Sequence, residues 1–143
     1  MLLIAFAAAL ALVTTLHMPD AAAQLAKKGE AGEQWEISMK MEMAGMPGGM
    51  PPMSHRMCLS KQAGDDKYIP RQENCKVTDV RRSGNTQQFK MTCTGRDPMT
   101  VEGEVTLAGA TFSGKTRMSG KVEGQSVEIA QTFSGKKLGD CTG

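Results

Sequence analysis

The sequence predicts an all-β domain: an antiparallel meander that forms a small barrel or a strongly curved sheet and is stapled by two disulfides. Three observations predict this fold. The chain of 143 residues has the length of one domain. Short amphipathic strands alternate with glycine-containing turns over most of its length. Four cysteines accompany only six aromatic residues, a composition typical of small exported domains that depend on disulfides.

The N-terminal segment, residues 1–23, has the features of a signal peptide. Its apolar run of about 13 residues is shorter than the roughly 20 needed to span a bilayer, and small residues at 21–23 form a cleavage signal. It departs from the usual pattern because no Lys or Arg precedes Lys27. We therefore expect export to the periplasm, a flexible N-terminal arm over residues 24–32, and a single β-domain over residues 33–143 without a membrane span.

Charge and histidine content exclude several classes of function. Removal of 23 residues leaves 120, with 17 basic and 14 acidic side chains, a net charge of +3 that is too small for a nucleic-acid-binding protein. His17 is lost with the leader, so His55 is the one histidine left for acid–base chemistry. We expect a monomer that is not an enzyme and has no cofactor.

The first strand is predicted over residues 34–43, where apolar side chains from Trp35 to Met43 alternate with polar ones. Residues 44–53 contain three Gly and three Pro, which forbid regular structure and predict a long loop. A short strand over residues 55–59 and a single helical turn over residues 60–66 follow.

The second half consists of amphipathic strands separated by turns, the pattern of a meander. Strands are predicted over residues 75–82, 89–94, 99–107, 112–118 and 127–133. Gly103 and Gly114 fall on the inward face, where glycine marks a bulge or tight curvature. The pentapeptide Thr-Phe-Ser-Gly-Lys occurs at 111–115 and at 132–136, an interval that we assign to strands two apart and running in the same direction. The lysine pair 136–137 is interpreted as a solvated strand edge.

The cysteines Cys58, Cys75, Cys93 and Cys141 predict two disulfides, because an even number follows an export signal and no C-x2-C zinc spacing occurs. Three connectivities are possible. The preferred one joins Cys58 to Cys75 and Cys93 to Cys141. The alternative joins Cys75 to Cys93, which a turn at residues 83–85 would place opposite each other in a hairpin.

Several motifs in order resemble the bacterial domain of unknown function 3617 family. They are residues 32–36, the Met/Pro/Gly loop at 43–52, residues 57–59, residues 75–80, residues 83–85 leading to Cys93, and the closing segment 135–141. The ordered set of four cysteines that ends in Gly-Asp-Cys is the most specific part of the resemblance. The resemblance implies an exported, periplasmic, compact β-rich protein and carries no activity or functional residues.

A methionine cluster is the one group of residues that could carry chemistry. Seven of the twelve methionines lie within the 19 residues from Met39 to Met57. Thioethers bind Cu(I), so the sequence offers a metal site as an alternative interpretation. The favoured interpretation is packing, because methionine fills irregular gaps in a core that is short of aromatic side chains. The residues of the alternative copper site are Met43, Met46, Met50, Met53 and His55.

A curved sheet with methionine-lined walls and a Met/Pro/Gly flap also predicts a binding function. Apolar, adaptable walls suit a small hydrophobic ligand. The competing hypothesis is a docking surface for another envelope protein. We therefore expect a non-catalytic binding module for one of these two partners, with Cu(I) binding as the alternative.

Overall fold

The computed structural model describes residues 25–143, which form one antiparallel sheet of seven strands. The predicted signal peptide, residues 1–23, lies outside the described residues. An all-β fold is confirmed, and every predicted strand segment lies within an observed strand or overlaps one. The strands are β1 (Ala31–Met43), β2 (Met53–Ser60), β3 (Cys75–Ser83), β4 (Thr86–Cys93), β5 (Met99–Ala108), β6 (Thr111–Val122) and β7 (Gln125–Thr142).

The predicted antiparallel meander is confirmed, and of the two forms predicted for it, a small barrel or a strongly curved sheet, the barrel is not the one observed, because the sheet is open. Strands β3 to β7 follow one another in space, and β1 then lies between β7 and β2, in the order β2-β1-β7-β6-β5-β4-β3. The edge strands β2 and β3 do not pair with each other, and the chain that joins them, residues 61–74, crosses one face of the sheet. We call this segment the strap, and the face that it covers the covered face.

The strap is held by a short polar turn and by two residues that enter the core. Instead of the single helical turn predicted over residues 60–66, it contains two 3-10 turns, Lys61–Ala63 and Asp65–Tyr68. The Ser60 hydroxyl accepts a hydrogen bond from the Gln62 amide at 3.1 Å and so begins the first turn. Tyr68 and the fully buried Ile69 then pack against the sheet.

Two hydrophobic clusters lie side by side beneath the strap. The first consists of Ile69, Phe89, Met91, Cys93, Val101 and Met118. The second consists of Trp35, Leu59, Val105, Phe112 and Phe133, with Tyr68 packed against it. Apart from Tyr68 and Ile69 of the strap, these are the side chains that the period-2 pattern of the strands directs to one face.

Aromatic rings of the core lie over glycines on the neighbouring strand. A Cβ atom on Gly103 would lie 2.5 Å from the Phe89 ring, and one on Gly135 would lie 2.2 Å from the Phe112 ring. Gly114 stands in the same relation to Phe133. Glycine is therefore required at these positions to give each ring its place.

The repeated pentapeptide pairs with itself, which corrects the assignment to strands two apart. Its copies lie on the adjacent antiparallel strands β6 and β7, with Ser113 opposite Ser134 at the centre. Phe112 of one copy is opposite Gly135 of the other, and Phe133 is opposite Gly114. Each copy thus supplies the ring that covers the other copy's glycine.

The two disulfides are Cys58–Cys141 and Cys75–Cys93, so the preferred connectivity is wrong and the alternative is confirmed. Cys58 and Cys75 lie on opposite edges of the sheet, too far apart for a bond. Cys58–Cys141 instead joins β2 to β7 across β1. Gly32 of β1 lies beneath it, and a Cβ there would be 2.5 Å from the Cys58 sulfur.

The start of the described chain is attached to the sheet, although residues 24–32 were predicted as a flexible arm. Leu25 forms an isolated bridge with Leu59, and the Gly29 amide donates to the carbonyl of Gly143 at 2.8 Å. Strand β1 begins at Ala31, two residues before the predicted start of the domain.

The face opposite the strap, which we call the open face, carries a row of hydroxyl residues to which each strand contributes one. These residues are opposite one another in register and form a continuous row across the sheet. The row consists of Ser54, Ser38, Ser134, Ser113, Thr106, Thr86 and Ser83. Charged residues flank it, which is typical of the solvated side of an antiparallel sheet.

Candidate functional site

A largely apolar cavity of about 280 Å³ lies between the strap and the sheet. Its sheet side includes Ile37 and Met39 of β1 and Met57 of β2, and its strap side includes Ile69. We call it the strap cavity. Its volume is just below the roughly 300–1,000 Å³ of typical small-molecule sites, and its apolar walls match their composition.

Four aromatic rings lie at or next to the strap cavity. Trp35, which is only 1% exposed, lies with its ring centroid 5.3 Å from that of Tyr68 and 5.2 Å from that of Phe112. Phe112 in turn lies 6.3 Å from Phe133. Such edge and tilted contacts stabilise ring pairs beyond the area that they bury. Tyr68, Phe112 and Phe133 therefore form a firm wall, and Trp35 is the core anchor behind it.

The ion-paired carboxylate of Glu33 lies beside Trp35, at one end of this aromatic group. Glu33 accepts hydrogen bonds from Lys137 at 2.8 Å and from Lys67 at 2.7 Å, and the Trp35 indole donates to it at 3.4 Å. Hydrogen bonds from Lys137, which has the larger effect, and from Lys67 lower the pKa of the Glu33 carboxyl to about 2. The same hydrogen bond raises the pKa of Lys137. Glu33 is thus ionised at neutral pH and fixes the strap, through Lys67, to β1 and β7.

Three nitrogen-bearing side chains reach the strap cavity: His55 from β2, and Lys67 and Arg71 from the strap. Of the cavity-lining residues in the described chain, none is a carboxylate. The Nε atom of Arg71 is buried and has no hydrogen-bond partner in the described part of the protein. Because buried polar atoms are nearly always paired, this nitrogen requires an explanation.

The structure divides the residues of the alternative copper site. Met43, Met46, Met50 and Met53 are 39–51% exposed at the hairpin end of β1 and β2. His55 is opposite Ile37, six residues from Met43 along β1, which is about 20 Å at 3.3 Å per residue. His55 lines the strap cavity, Met43, Met46 and Met50 lie in the folded-back loop, and Met53, two residues from His55 on β2 and opposite Met39, lies between them.

The loop that carries these methionines folds back on β1. The Met46 amide donates to the Met43 carbonyl at 3.1 Å, and the Met50 amide donates to the Met41 carbonyl at 3.0 Å. The methionines nearer the middle of the hairpin differ from those at its end, because Met39 and Met57 pack against the second core cluster. The methionine cluster is thus partly core and partly exposed surface.

The candidate site residues of the strap could not be identified from the sequence. Lys67, Tyr68 and Arg71 lie in a segment that has no periodicity, and only the apolar group Tyr68-Ile69-Pro70 within a polar stretch could have marked it. The interpretation of Lys137 as a solvated edge is wrong. Strand β7 lies between β1 and β6, and Lys137 is ion-paired to Glu33.

The open face has larger recesses, but charged side chains line each of them. The largest, about 640 Å³, includes Lys90, Glu102, Glu104 and Lys115, whose charges are paired at 2.7 and 3.1 Å. A hydrophobic ligand would have to displace water from these ion pairs. The strap cavity is the better candidate because its walls are already apolar.

The described range, residues 25–143, lacks two kinds of feature. Within that range, no three His, Cys, Asp or Glu side chains are grouped so that they could hold a metal ion. No helix of the same segment is long and apolar enough to cross a membrane. The two disulfides indicate that the protein folds in an oxidising compartment.

Comparison with known proteins bears on the family alone. Neither the curated proteins nor the solved structures include a match to this chain. The sequence pattern of the family described as protein of unknown function (DUF3617) matches residues 30–141, which include the whole sheet apart from the last residue of β7. The chain therefore belongs to the DUF3617 family.

Proposed function

We propose that this protein is a non-catalytic binding protein of the periplasm that takes a small hydrophobic ligand into the strap cavity. The observation that carries the proposal is the cavity itself, about 280 Å³ with apolar and aromatic walls. Such a cavity, with a few polar groups converging on it, is the usual form of a small-molecule site.

The cavity lies between two separate elements, so a ligand can enter while the sheet stays folded. One wall is the sheet and the other is the strap, whose position depends on Ile69 and on the Lys67–Glu33 ion pair. Leu25, which is 49% exposed, also lines the cavity. Exposed apolar surface beside an apolar cavity is typical of a ligand entrance.

Binding can be measured with the fluorescent apolar probe N-phenylnaphthylamine. We expect micromolar binding to the wild type and a loss of at least tenfold in Met57→Trp, which fills the cavity from β2. Met50→Trp adds the same side chain to the exposed loop and should leave binding unchanged. Equal probe binding by both variants, or no binding by the wild type, would refute the proposal.

An envelope protein is the competing partner for the same surface. Native mass spectrometry of the protein isolated from its own cells separates the two hypotheses. A co-purifying small molecule supports the cavity, whereas a stoichiometric protein partner and an empty cavity support docking. A periplasmic location, which the disulfides favour, is tested by fractionation of the same cells.

Cu(I) binding is a second candidate, supported by the four exposed methionines at the hairpin end. The folded-back loop keeps Met43, Met46 and Met50 in one short segment. Anaerobic titration with Cu(I) should give binding tighter than micromolar, and Met46→Leu with Met50→Leu should weaken it at least tenfold. Met57→Leu, a partly buried control, should have no effect, and binding weaker than micromolar in the wild type excludes the site.

A further inference from the structure

We infer that the ligand of the strap cavity is a single-chain amphiphile with an anionic headgroup, and that Arg71 binds that headgroup. This inference rests on the proposed function and names the class of ligand. It is drawn from three features of the cavity: its apolar length, the sign of the charges around it and the unpaired nitrogen of Arg71.

The charges at the cavity are unbalanced. Lys67 and Lys137 share one carboxylate, that of Glu33, at 2.7 and 2.8 Å. Arg71 adds a further positive charge and forms no ion pair with any described residue. No acidic side chain lines the cavity within the described chain. The strap end of the cavity thus has a net positive charge that a bound anion would neutralise.

The unpaired Nε atom of Arg71 is the reason to assign the headgroup contact to this residue. Arg71 lines the cavity, and its Nε atom is removed from water without gaining a hydrogen-bond acceptor. A guanidinium presents Nε and a terminal nitrogen as two parallel donors, which fit the two oxygens of a carboxylate, sulfate or phosphate ester. Lys67 is already committed to Glu33, so Arg71 is the free binding group.

The apolar part of the cavity fits the tail of such a ligand. Ile37 and Phe133 form walls without hydrogen-bonding groups on their side chains, and the sulfur of Met39 beside them already accepts from the Gln131 amide at 3.2 Å. Methionine adapts to chains of different shape because its side chain is unbranched and polarisable. A volume of about 280 Å³ suits one alkyl chain and is too small for a diacyl lipid.

The test compares four probes by displacement of N-phenylnaphthylamine from the full-length exported protein: decanoate, 1-decanol, decyltrimethylammonium and acetate. We expect decanoate to bind about 10- to 100-fold more tightly than 1-decanol, the ratio produced by one hydrogen-bonded charged contact. Decyltrimethylammonium should bind more weakly than the alcohol. Acetate, which has the headgroup without the tail, should not displace the probe.

Variants then assign the headgroup contact. Arg71→Met should reduce decanoate binding to the level of 1-decanol and leave the alcohol unchanged, and Arg71→Lys should retain part of the preference. Arg96→Met, an exposed control in the turn before β5, should alter neither. Thermal unfolding of each variant shows whether the fold is kept. If Arg71→Met does not fold, Arg71→Lys and the wild-type ratio still decide.

The outcomes separate this inference from the proposed function. Equal binding of decanoate and 1-decanol by the wild type, or an equal loss of both in Arg71→Met, overturns the anionic headgroup and leaves the hydrophobic cavity standing. If none of the ten-carbon probes binds, both the anionic headgroup and the hydrophobic ligand site are overturned. A cavity occupied by another segment of this chain would also overturn both. Displacement by acetate alone would assign Arg71 to a small free anion and would also overturn the amphiphile.

Discussion

At the scale of single residues, Glu33 links three parts of the fold through one carboxylate. It lies on β1, pairs with Lys67 of the strap and Lys137 of β7, and accepts from the Trp35 indole. The side chain is 17% exposed, so water screens these contacts only in part. Its ionisation should therefore affect global stability.

Ionisation of Glu33 should make the free energy of unfolding depend on pH in the acidic range. Its pKa is lowered from the ordinary 4.5 to about 2 in the folded state, so the carboxylate stabilises the fold above about pH 4.5 and loses this effect as the pH falls toward 2. The shift corresponds to about 3 kcal/mol at most. Glu33→Gln should be less stable at pH 7 and should lose less stability between pH 5 and 2 than the wild type.

Urea unfolding followed by Trp35 fluorescence at several pH values measures this difference. Glu73→Gln, which changes an exposed carboxylate of the strap, is the control and should follow the wild-type curve. Parallel curves for Glu33→Gln and the wild type would show that the ion pairs contribute no net stability.

The glycines beneath aromatic rings are the second feature at this scale. Gly135→Ala would place a methyl group 2.2 Å from the Phe112 ring, and the ring cannot move without disturbing Trp35. We expect a loss of about 1–3 kcal/mol, the usual effect of overpacking a core. Ser134→Ala, the exposed neighbour on the open face, should change the free energy of unfolding by less than about 0.5 kcal/mol. A neutral Gly135→Ala would show that the ring has room to shift.

At the scale of elements, the sequence predicts strands well and their partners less well. Alternation from Trp35 to Met43 identifies β1, because a half-buried strand must place every second side chain inward. The same alternation says nothing of which strands lie on either side of β1. Those neighbours are β2 and β7, and the disulfide that joins them across Gly32 links residues 83 positions apart in the chain.

The two disulfides join different strands, so each should protect a different part of the sheet from hydrogen exchange. Cys58–Cys141 closes 83 residues and Cys75–Cys93 closes 18. By chain entropy their removal should cost about 4.5 and about 3 kcal/mol, respectively. Replacing Cys75 and Cys93 by Ala should speed amide hydrogen exchange in the edge strand β3, whereas replacing Cys58 and Cys141 should speed it in β2 and in the end of β7.

Hydrogen exchange read by peptide mass spectrometry gives the location, and urea unfolding gives the free energy. Each double variant is the matched control of the other, since both remove one disulfide. The same exchange pattern in both variants would contradict the separate attachment of the two edges.

At the scale of the whole molecule, the strap covers the apolar face of the sheet, which of the two predicted forms, a barrel or a curved sheet, is not closed into a barrel. A barrel protects its apolar interior by joining its edge strands. Here the polar-looking segment between β2 and β3 covers the interior with two side chains, Tyr68 and Ile69, and the edges remain open. Its role lies in tertiary contacts that leave no periodic trace, so the sequence could not show the candidate site that it forms with the sheet.

The strap should also make the two core clusters unfold together. Tyr68 packs in the cluster of Trp35, and its neighbour Ile69 packs in the cluster of Phe89 and Met91. Ile69→Ala should therefore destabilise both clusters, by about 2–5 kcal/mol in total.

Trp35 fluorescence should report one cluster and hydrogen exchange of β4 amides the other. Coincident transitions are expected in the wild type and in Ile69→Ala, because a cooperative unit has one free energy of unfolding. Val77→Ala, a partly buried change on the edge strand β3, is the control and should cost less. If β4 lost protection at a lower urea concentration than Trp35 in the wild type, the clusters would be independent and the strap would only cover them.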